Sequence, residues 1–409
     1  MCRHLPFEAR WSGIHLDVDQ HDRLGNPAQP SSQPCQSSND AGPPVRRQVA
    51  AAIARGSLPI LSRLDPERAH DLGLAGLRLL RPLWPAVSPS SASLRVRCLG
   101  LDFAHPLGLA AGFDKNGDYL DALGVLGFSH VELGTVTPRP QPGNPKPRMF
   151  RIPATDALVN RMGFNNKGVE HLIARMALSR YPGIRGISIG KNFDTPIENA
   201  DADYVACLRK VYAHADYIAV NISSPNTARL RELQGRDGLE RIIGALFRAR
   251  TELKERHEKH VPLLVKIAPN LDPEQVMALA ASLRSLEVEG VIATNTSTDL
   301  SSLGTAWHDQ HRGGLSGAPL HPLSLSIIGQ LRASLGPSFP IIGVGGIVNP
   351  ESAMATLSAG ANLIQIYTGF SYRGYRLVED ILESLSRANS SDPCWSSETA
   401  GSAEKTKTK

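Results

Sequence analysis

Residues 217–227 read "YIAVNISSPNT", and beyond a helix-spaced stretch, "GLERIIGALFRARTELKERH" (238–257), the chain returns to an apolar run, "PLLVKIA" (262–268). A short run apolar at every position is buried on both faces, as strands of a parallel sheet covered by helices are. The same unit repeats on either side. "PLGLAAG" (106–112), "HVELGT" (130–135) and "GISIG" (186–190) come before it, and "GVIATN" (290–295), "PIIGVGG" (340–346) and "LIQIY" (363–367) come after. Stretches with helical spacing lie between them, among them "DYLDALGVLG" (118–127), "PEQVMALAASLRSL" (273–286) and "PLSLSIIGQLRASLG" (322–336). Eight strand candidates alternating with helices over about 290 residues fit an α/β fold of the (β/α)8 TIM-barrel type. An open doubly wound sheet is the alternative.

The 409 residues are 41% hydrophobic, which is enough for a large core. A net charge of +5, with lysine and arginine scattered along the chain, argues against a nucleic acid partner. Cys2, Cys35, Cys98, Cys207 and Cys394 have no regular spacing, so a reducing compartment without structural disulfides is expected. No run of 18 apolar residues predicts a spanning helix, and the N-terminus lacks the charged-then-apolar order of a signal peptide. Residues 1–44 and 389–409 are polar and read as disordered tails.

Residues 45–85 read as two short helices, the second capped by Asp65 with Pro66 in its first turn. Leu72, Ala75, Leu79 and Leu83 recur at helical spacing, and Leu77, Leu80 and Trp84 widen the apolar face. Seven arginines stand against Asp65, Glu67 and Asp71 in this segment. An apolar face flanked by arginine suits a helical hairpin lying in a membrane interface. The alternative is a hairpin packed on the barrel.

Reactive groups of such barrels gather where strands finish. The strands here finish in glycine, small hydroxyls, amides and lysine. Asn221, Asn226 and Asn295 are expected to converge with Lys115 and Lys266, a set that suits a small, planar, anionic heterocycle. "GVGG" (343–346) and "YTGF" (367–370) close the last two strands, where backbone N–H groups often hold phosphate, so a phosphate-bearing cofactor is expected. "GGLSG" (313–317), read as a loop after the sixth strand, would let backbone approach a ligand closely. No metal is expected: "HEKH" (257–260) has the wrong spacing for a zinc helix and no C-x-x-C occurs.

The motifs "LGLAAGFDKNG", "GTVTPRPQPGNPKPR", "NRMGFNN", "NISSPNT", "VKIAP", "GVIATNT", "GGLSG", "IIGVGGI" and "QIYTGF" resemble those of class 2, quinone-dependent dihydroorotate dehydrogenases over roughly residues 60–385. The resemblance implies one FMN per chain in a barrel spanning 86–388. Its phosphate would lie at Gly346, Tyr367 and Thr368, with Ala111, Thr135, Ser188, Asn221, Lys266, Thr294 and Gly317 around the rest. Ser188 stands where the family usually has asparagine. Dihydroorotate would be held by Lys115, by Asn160, Arg161, Met162, Gly163 and Phe164, and by Asn221, Asn226, Asn295 and Thr296. The resemblance assigns proton abstraction to Ser224, with Thr227 as a relay partner, while alternation along the extended segment turns Ser223 away. Lys266 would stabilise negative charge on the flavin.

The resemblance also makes the 45–85 hairpin a quinone entrance, with His70 and Arg151 beside it, and implies peripheral association with the cytoplasmic face of a bacterial inner membrane. Class 1 relatives carry cysteine where Ser224 stands. The competing readings are a class 1-like enzyme with a soluble acceptor, another FMN barrel that reduces, for instance, uracil or tRNA, and a phosphate-binding barrel without catalysis.

Overall fold

A computed structural model describes residues 45–84, 92–227, 229–304 and 312–391. Residues 1–44 and 392–409, and with them Cys2, Cys35, Cys394 and most of both tails, lie outside the described residues, as does Pro85.

The described strands are β1 (Val96–Cys98), β2 (Leu101–Phe103), β3 (Leu107–Leu109), β4 (His130–Val136), β5 (Met149–Ile152), β6 (Ala157–Asn160), β7 (Ile184–Ile189), β8 (Tyr217–Asn221), β9 (Leu263–Ile267), β10 (Gly290–Ala293), β11 (Gly314–Gly317), β12 (Ile341–Val344) and β13 (Leu363–Ile366). Strands β3, β4, β7, β8, β9, β10, β12 and β13 close a parallel barrel in chain order. These are the eight apolar runs of the sequence. Their outer faces pack on helices such as Arg236–His257 and Pro273–Ser285, whose leucines and isoleucines form the main core. The Pro273–Ser285 helix begins with a reciprocal cap, Gln275 N donating to Asp272 Oδ1 at 2.8 Å and Asp272 N to Gln275 Oε1 at 3.0 Å.

Two elements differ from the sequence reading. Strands β1 and β2 form an antiparallel hairpin whose Val96, Cys98 and Phe103 plug the barrel interior against Tyr217, Leu264 and Ile342. The "GGLSG" segment is no loop: its last four residues are β11, which pairs antiparallel with β6, and β6 with β5, in a three-stranded sheet. Glycine has little strand propensity of its own, so the pairing comes from the neighbour.

Helices α1 (Val45–Leu61) and α2 (Pro66–Leu80) precede the barrel, α2 capped by Asp65 accepting from Arg68 N at 3.0 Å. Ala50, Ala51, Leu74 and Trp84 are buried in the main core, whereas Ile53, Ile60, Leu72 and Leu79 are exposed. The hairpin is thus apolar on two sides, one against the barrel and one open. At the other end the helix Tyr375–Ser391 runs into the segment read as a tail, and Asn389 Nδ2 donates to Ser93 O at 2.8 Å.

Candidate active site

Every parallel strand delivers its carboxyl end to the same face of the barrel. There a cavity of about 1020 Å³, mouth included, is lined by Ala111, Lys115, Thr135, Asn160, Met162, Gly163, Phe164, Asn221, Ser224, Asn226, Lys266, Thr294, Asn295, Thr296, Gly317, Gly346, Tyr367 and Thr368. The lining comes from the ends of strands all round the barrel, so a ligand there would touch groups from many strands at once. The structure brings together all the residues expected at the flavin and dihydroorotate except two.

Ser188 lies behind the wall. It is fully buried, and its Oγ is 2.8 Å from Thr135 Oγ1, so its reach into the cavity passes through Thr135. The side chain of Arg161 leaves the cavity and donates from Nε and Nη2 to Pro147 O at 3.1 and 2.8 Å. Only its backbone stays with the "NRMGFNN" turn, where Arg161 O accepts from Asn144 Nδ2 at 2.9 Å.

Register explains the floor. Asn221 at the end of β8 pairs with Lys266 on β9, which sets amide and ammonium at one height. Asn221 Nδ2 donates to Thr135 Oγ1 at 2.7 Å, and its Oδ1 accepts from Ser223 Oγ and Asn295 Nδ2, each at 3.3 Å. Ser223 Oγ also accepts from Asn295 Nδ2 at 3.0 Å, so this serine braces the amides from behind. Ser224 faces the cavity, and its Oγ accepts from Asn226 N at 3.2 Å. No hydrogen bond joins it to Thr227, whose backbone carbonyl instead accepts from Leu230 N at 3.3 Å. Asn226 Nδ2 donates to Asn160 Oδ1 at 3.1 Å, tying the β8 loop to β6.

The lining holds two lysines and no carboxylate. Lys115 Nζ donates to Gly112 O at 2.7 Å, and burial pushes its pKa down to about 8, with Glu67 pulling the other way. Thr296 Oγ1 is buried without a partner. An orphan hydroxyl in a donor-rich, acid-free cavity calls for an anionic or carbonyl-bearing ligand. Directly after β12, Gly345 and Gly346 have φ of +125° and +75°, and a Cβ on Gly346 would meet His321 N at 2.5 Å, so the turn there requires glycine. Thr368 Oγ1 donates to Ser316 Oγ at 2.9 Å beside that turn. Hydroxyls and glycine backbone without acids fit a phosphate, and the whole lining fits a flavin mononucleotide with a small carboxylate ligand.

A second cavity, about 1730 Å³ with its mouth, opens between α1, α2 and the barrel. His70, Arg151, Phe113 and Leu74 line it, and Tyr367 lines both cavities. His70 Nε2 sits 2.9 Å from Phe113 O and so carries the proton there, while burial, with help from Lys115, lowers the His70 pKa to about 4. The ring is neutral at physiological pH. Arg151 Nη1 donates to Ser62 O at 2.8 Å and Leu64 O at 3.3 Å, holding the turn between the helices. Beneath lies a buried ion pair that the sequence reading missed, Arg148 Nη2 with Glu67 Oε1 at 2.7 Å. Burial would raise the Glu67 pKa, but Arg148 and Lys146 hold it below the ordinary value. The two residues are 81 apart in the chain, and no local pattern links them.

Comparison with known proteins agrees with this geometry. The family model described as dihydroorotate dehydrogenase matches residues 93–388. A dihydroorotate dehydrogenase (quinone) of Aromatoleum aromaticum is 50% identical over 79% of this chain and 92% of its own. One of Azotobacter vinelandii is 48% identical over 82% and 97%. Among solved structures, the dihydroorotate dehydrogenase of Eimeria tenella in complex with ferulenol superposes with a TM-score of 0.75 at 34% identity, covering 84% of this chain and 96% of that one.

Proposed function

This chain belongs to the dihydroorotate dehydrogenase family, and on that premise we propose that it oxidises dihydroorotate to orotate with a quinone as electron acceptor, in pyrimidine biosynthesis, using one FMN per chain. The observation that carries the reading is the pair of cavities sharing Tyr367: one polar, acid-free and floored by Lys266, the other apolar and open between α1 and α2.

In this reading Lys115, protonated below pH 8, takes the substrate's carboxylate, and Asn160, Asn226, Asn295 and Thr296 hold the ring. Ser224 Oγ removes the proton from the carbon α to the carbonyl. Serine is a weak base: as Oγ takes the carbon-bound proton, its own hydroxyl proton passes to solvent water at the cavity mouth, and the Asn226 N–H on the oxygen favours the negative charge that develops there. Bound FMN supplies the chemistry the side chains lack, accepting a hydride and passing on two electrons. Gly346, Tyr367 and Thr368 would hold its phosphate, and Ala111, Thr135, Asn221, Lys266, Thr294 and Gly317 its ring system.

The exposed apolar side of α1 and α2, with Arg55, Arg63 and Arg78 on the same helices and turn, supports peripheral attachment to an anionic lipid surface, the cytoplasmic face of a bacterial inner membrane. No described helix is long and apolar enough to cross a membrane. The test is to identify the flavin released from purified protein and to compare long-tailed quinone, fumarate and NAD as acceptors for dihydroorotate. FMN at one per chain with quinone turnover is expected. Turnover with fumarate or NAD alone would favour the class 1-like reading.

A further inference from the structure

One strongly buried ionisable group takes no part in the scheme above. Glu132, in the middle of β4, is fully buried and lies under the floor of the polar cavity without lining it. A carboxylate so placed is sustained only by a cation and by donors to its remaining lone pairs. Lys266 Nζ is 3.3 Å from its Oε1. Its Oε2 accepts from Tyr217 OH at 3.1 Å and from Gln365 Nε2 at 2.9 Å, and Gln365 Nε2 also reaches Tyr217 OH at 3.0 Å. Burial and the neighbouring carboxylate keep the Tyr217 hydroxyl protonated, so it serves Glu132 as a donor.

Lys266 therefore has two sides. One meets the cavity, and the other is tied to a carboxylate at contact distance inside the barrel, where charges are weakly screened. A ligand on the floor feels an ion pair, not a free cation. We propose that Glu132 is a positioning residue that fixes the Lys266 ammonium and partly cancels its charge, thereby lowering the midpoint potential of the bound flavin. This rests on the flavin reading of the cavity. A lower potential makes electrons leave for the quinone more readily and makes their arrival from dihydroorotate less downhill. The carboxylate thus divides the driving force between the two halves of the reaction.

The decisive variant is Glu132→Gln, which keeps the shape and a hydrogen-bond acceptor for Lys266 and removes the charge. Midpoint potentials of the flavin-loaded wild type and variant are measured at pH 6, far below the ordinary lysine range. The oxidised-to-reduced equilibrium is expected to move at least tenfold toward the reduced form, a rise of about 30 mV for a two-electron couple. Quinone-driven reoxidation should slow, while reduction by dihydroorotate does not. If the glutamine variant fails to keep flavin, Tyr217→Phe gives the opposite sign, because the carboxylate keeps its charge and loses a donor, and the potential should fall. Stability of the flavin-free protein is a third readout: Lys266→Met should be destabilised, and Lys266→Met with Glu132→Gln restored. A loaded enzyme whose potential is unmoved in both single variants overturns the proposal. A purified protein that holds no flavin overturns the reading beneath it.

Discussion

Phe113 and Tyr367 stand edge to face, with ring centroids 5.3 Å apart and planes at 69°, at the boundary of the polar and apolar cavities. His70 also packs against Phe113, with ring centroids 4.8 Å apart. The three rings link α2 to the barrel, so whatever enters between the helices arrives beside Tyr367. Burial holds the Tyr367 phenol near pKa 12, and it stays neutral there.

Filling the apolar cavity should therefore separate the two half-reactions. Gly73 on α2 lines that cavity, and a Cβ there would meet only Leu61 Cδ1, at 3.7 Å. Gly73→Leu also improves helix propensity by about 1 kcal/mol, so the fold should tolerate it. Steady-state kcat/KM for a long-tailed quinone should fall at least tenfold, with flavin reduction by dihydroorotate unchanged in rapid mixing.

The depressed pKa of Lys115 sets a pH limb. The Lys115 ammonium, proposed to pair with the substrate carboxylate, is present below about pH 8 and is lost as pH rises through that value. In a pH profile of kcat/KM for dihydroorotate, activity should fall about tenfold per unit above pH 8, and Lys115→Met should abolish that limb. For stability the sign is opposite. The folded state binds fewer protons than the unfolded state between pH 8 and the ordinary lysine value, so this group makes the fold more stable as pH rises there.

Glu67 ties the hairpin to the barrel as well. Arg148 spans Glu67, Pro142 O at 2.6 Å and Asn144 O at 2.9 Å, and Asn144 in turn holds Arg161 O. Removing residues 45–84 would strand a buried guanidinium beside the loop that holds Arg161 O. Glu67→Ala should cost about 3 kcal/mol in denaturant unfolding, as expected for breaking a buried pair, and should weaken dihydroorotate binding as well.

Ser188 is expected to act through Thr135. Ser188→Ala removes one buried hydrogen bond, worth about 1 kcal/mol, and should weaken FMN binding about fivefold. In a Thr135→Val background the same change should have no further effect, because the partner is gone. Titration of the flavin-free proteins with FMN reads both.

Much of this was legible in sequence because the signals were local. Eight apolar runs stand in the barrel where they were read, and polar strand ends such as Asn221 and Thr294 meet in one cavity. Direction was harder to read. The family resemblance put Arg161 with its neighbours Asn160 and Met162, but its side chain turns out to Pro147. Strand β11 was hidden by its glycines, and the Glu67–Arg148 pair by its separation in the chain. Glu132 did leave a signal, an acid inside the fully buried run "HVELGT".

The central claim is that Ser224 removes the proton in a cavity that holds flavin and dihydroorotate together. Anaerobic stopped-flow of Ser224→Ala beside Ser223→Ala tests it most directly, with flavin absorbance as the signal. Flavin reduction by dihydroorotate should slow by about 10²–10⁴ in Ser224→Ala with FMN still bound, and far less in Ser223→Ala, whose hydroxyl braces Asn221 and Asn295. Equal rates in the two variants would contradict it.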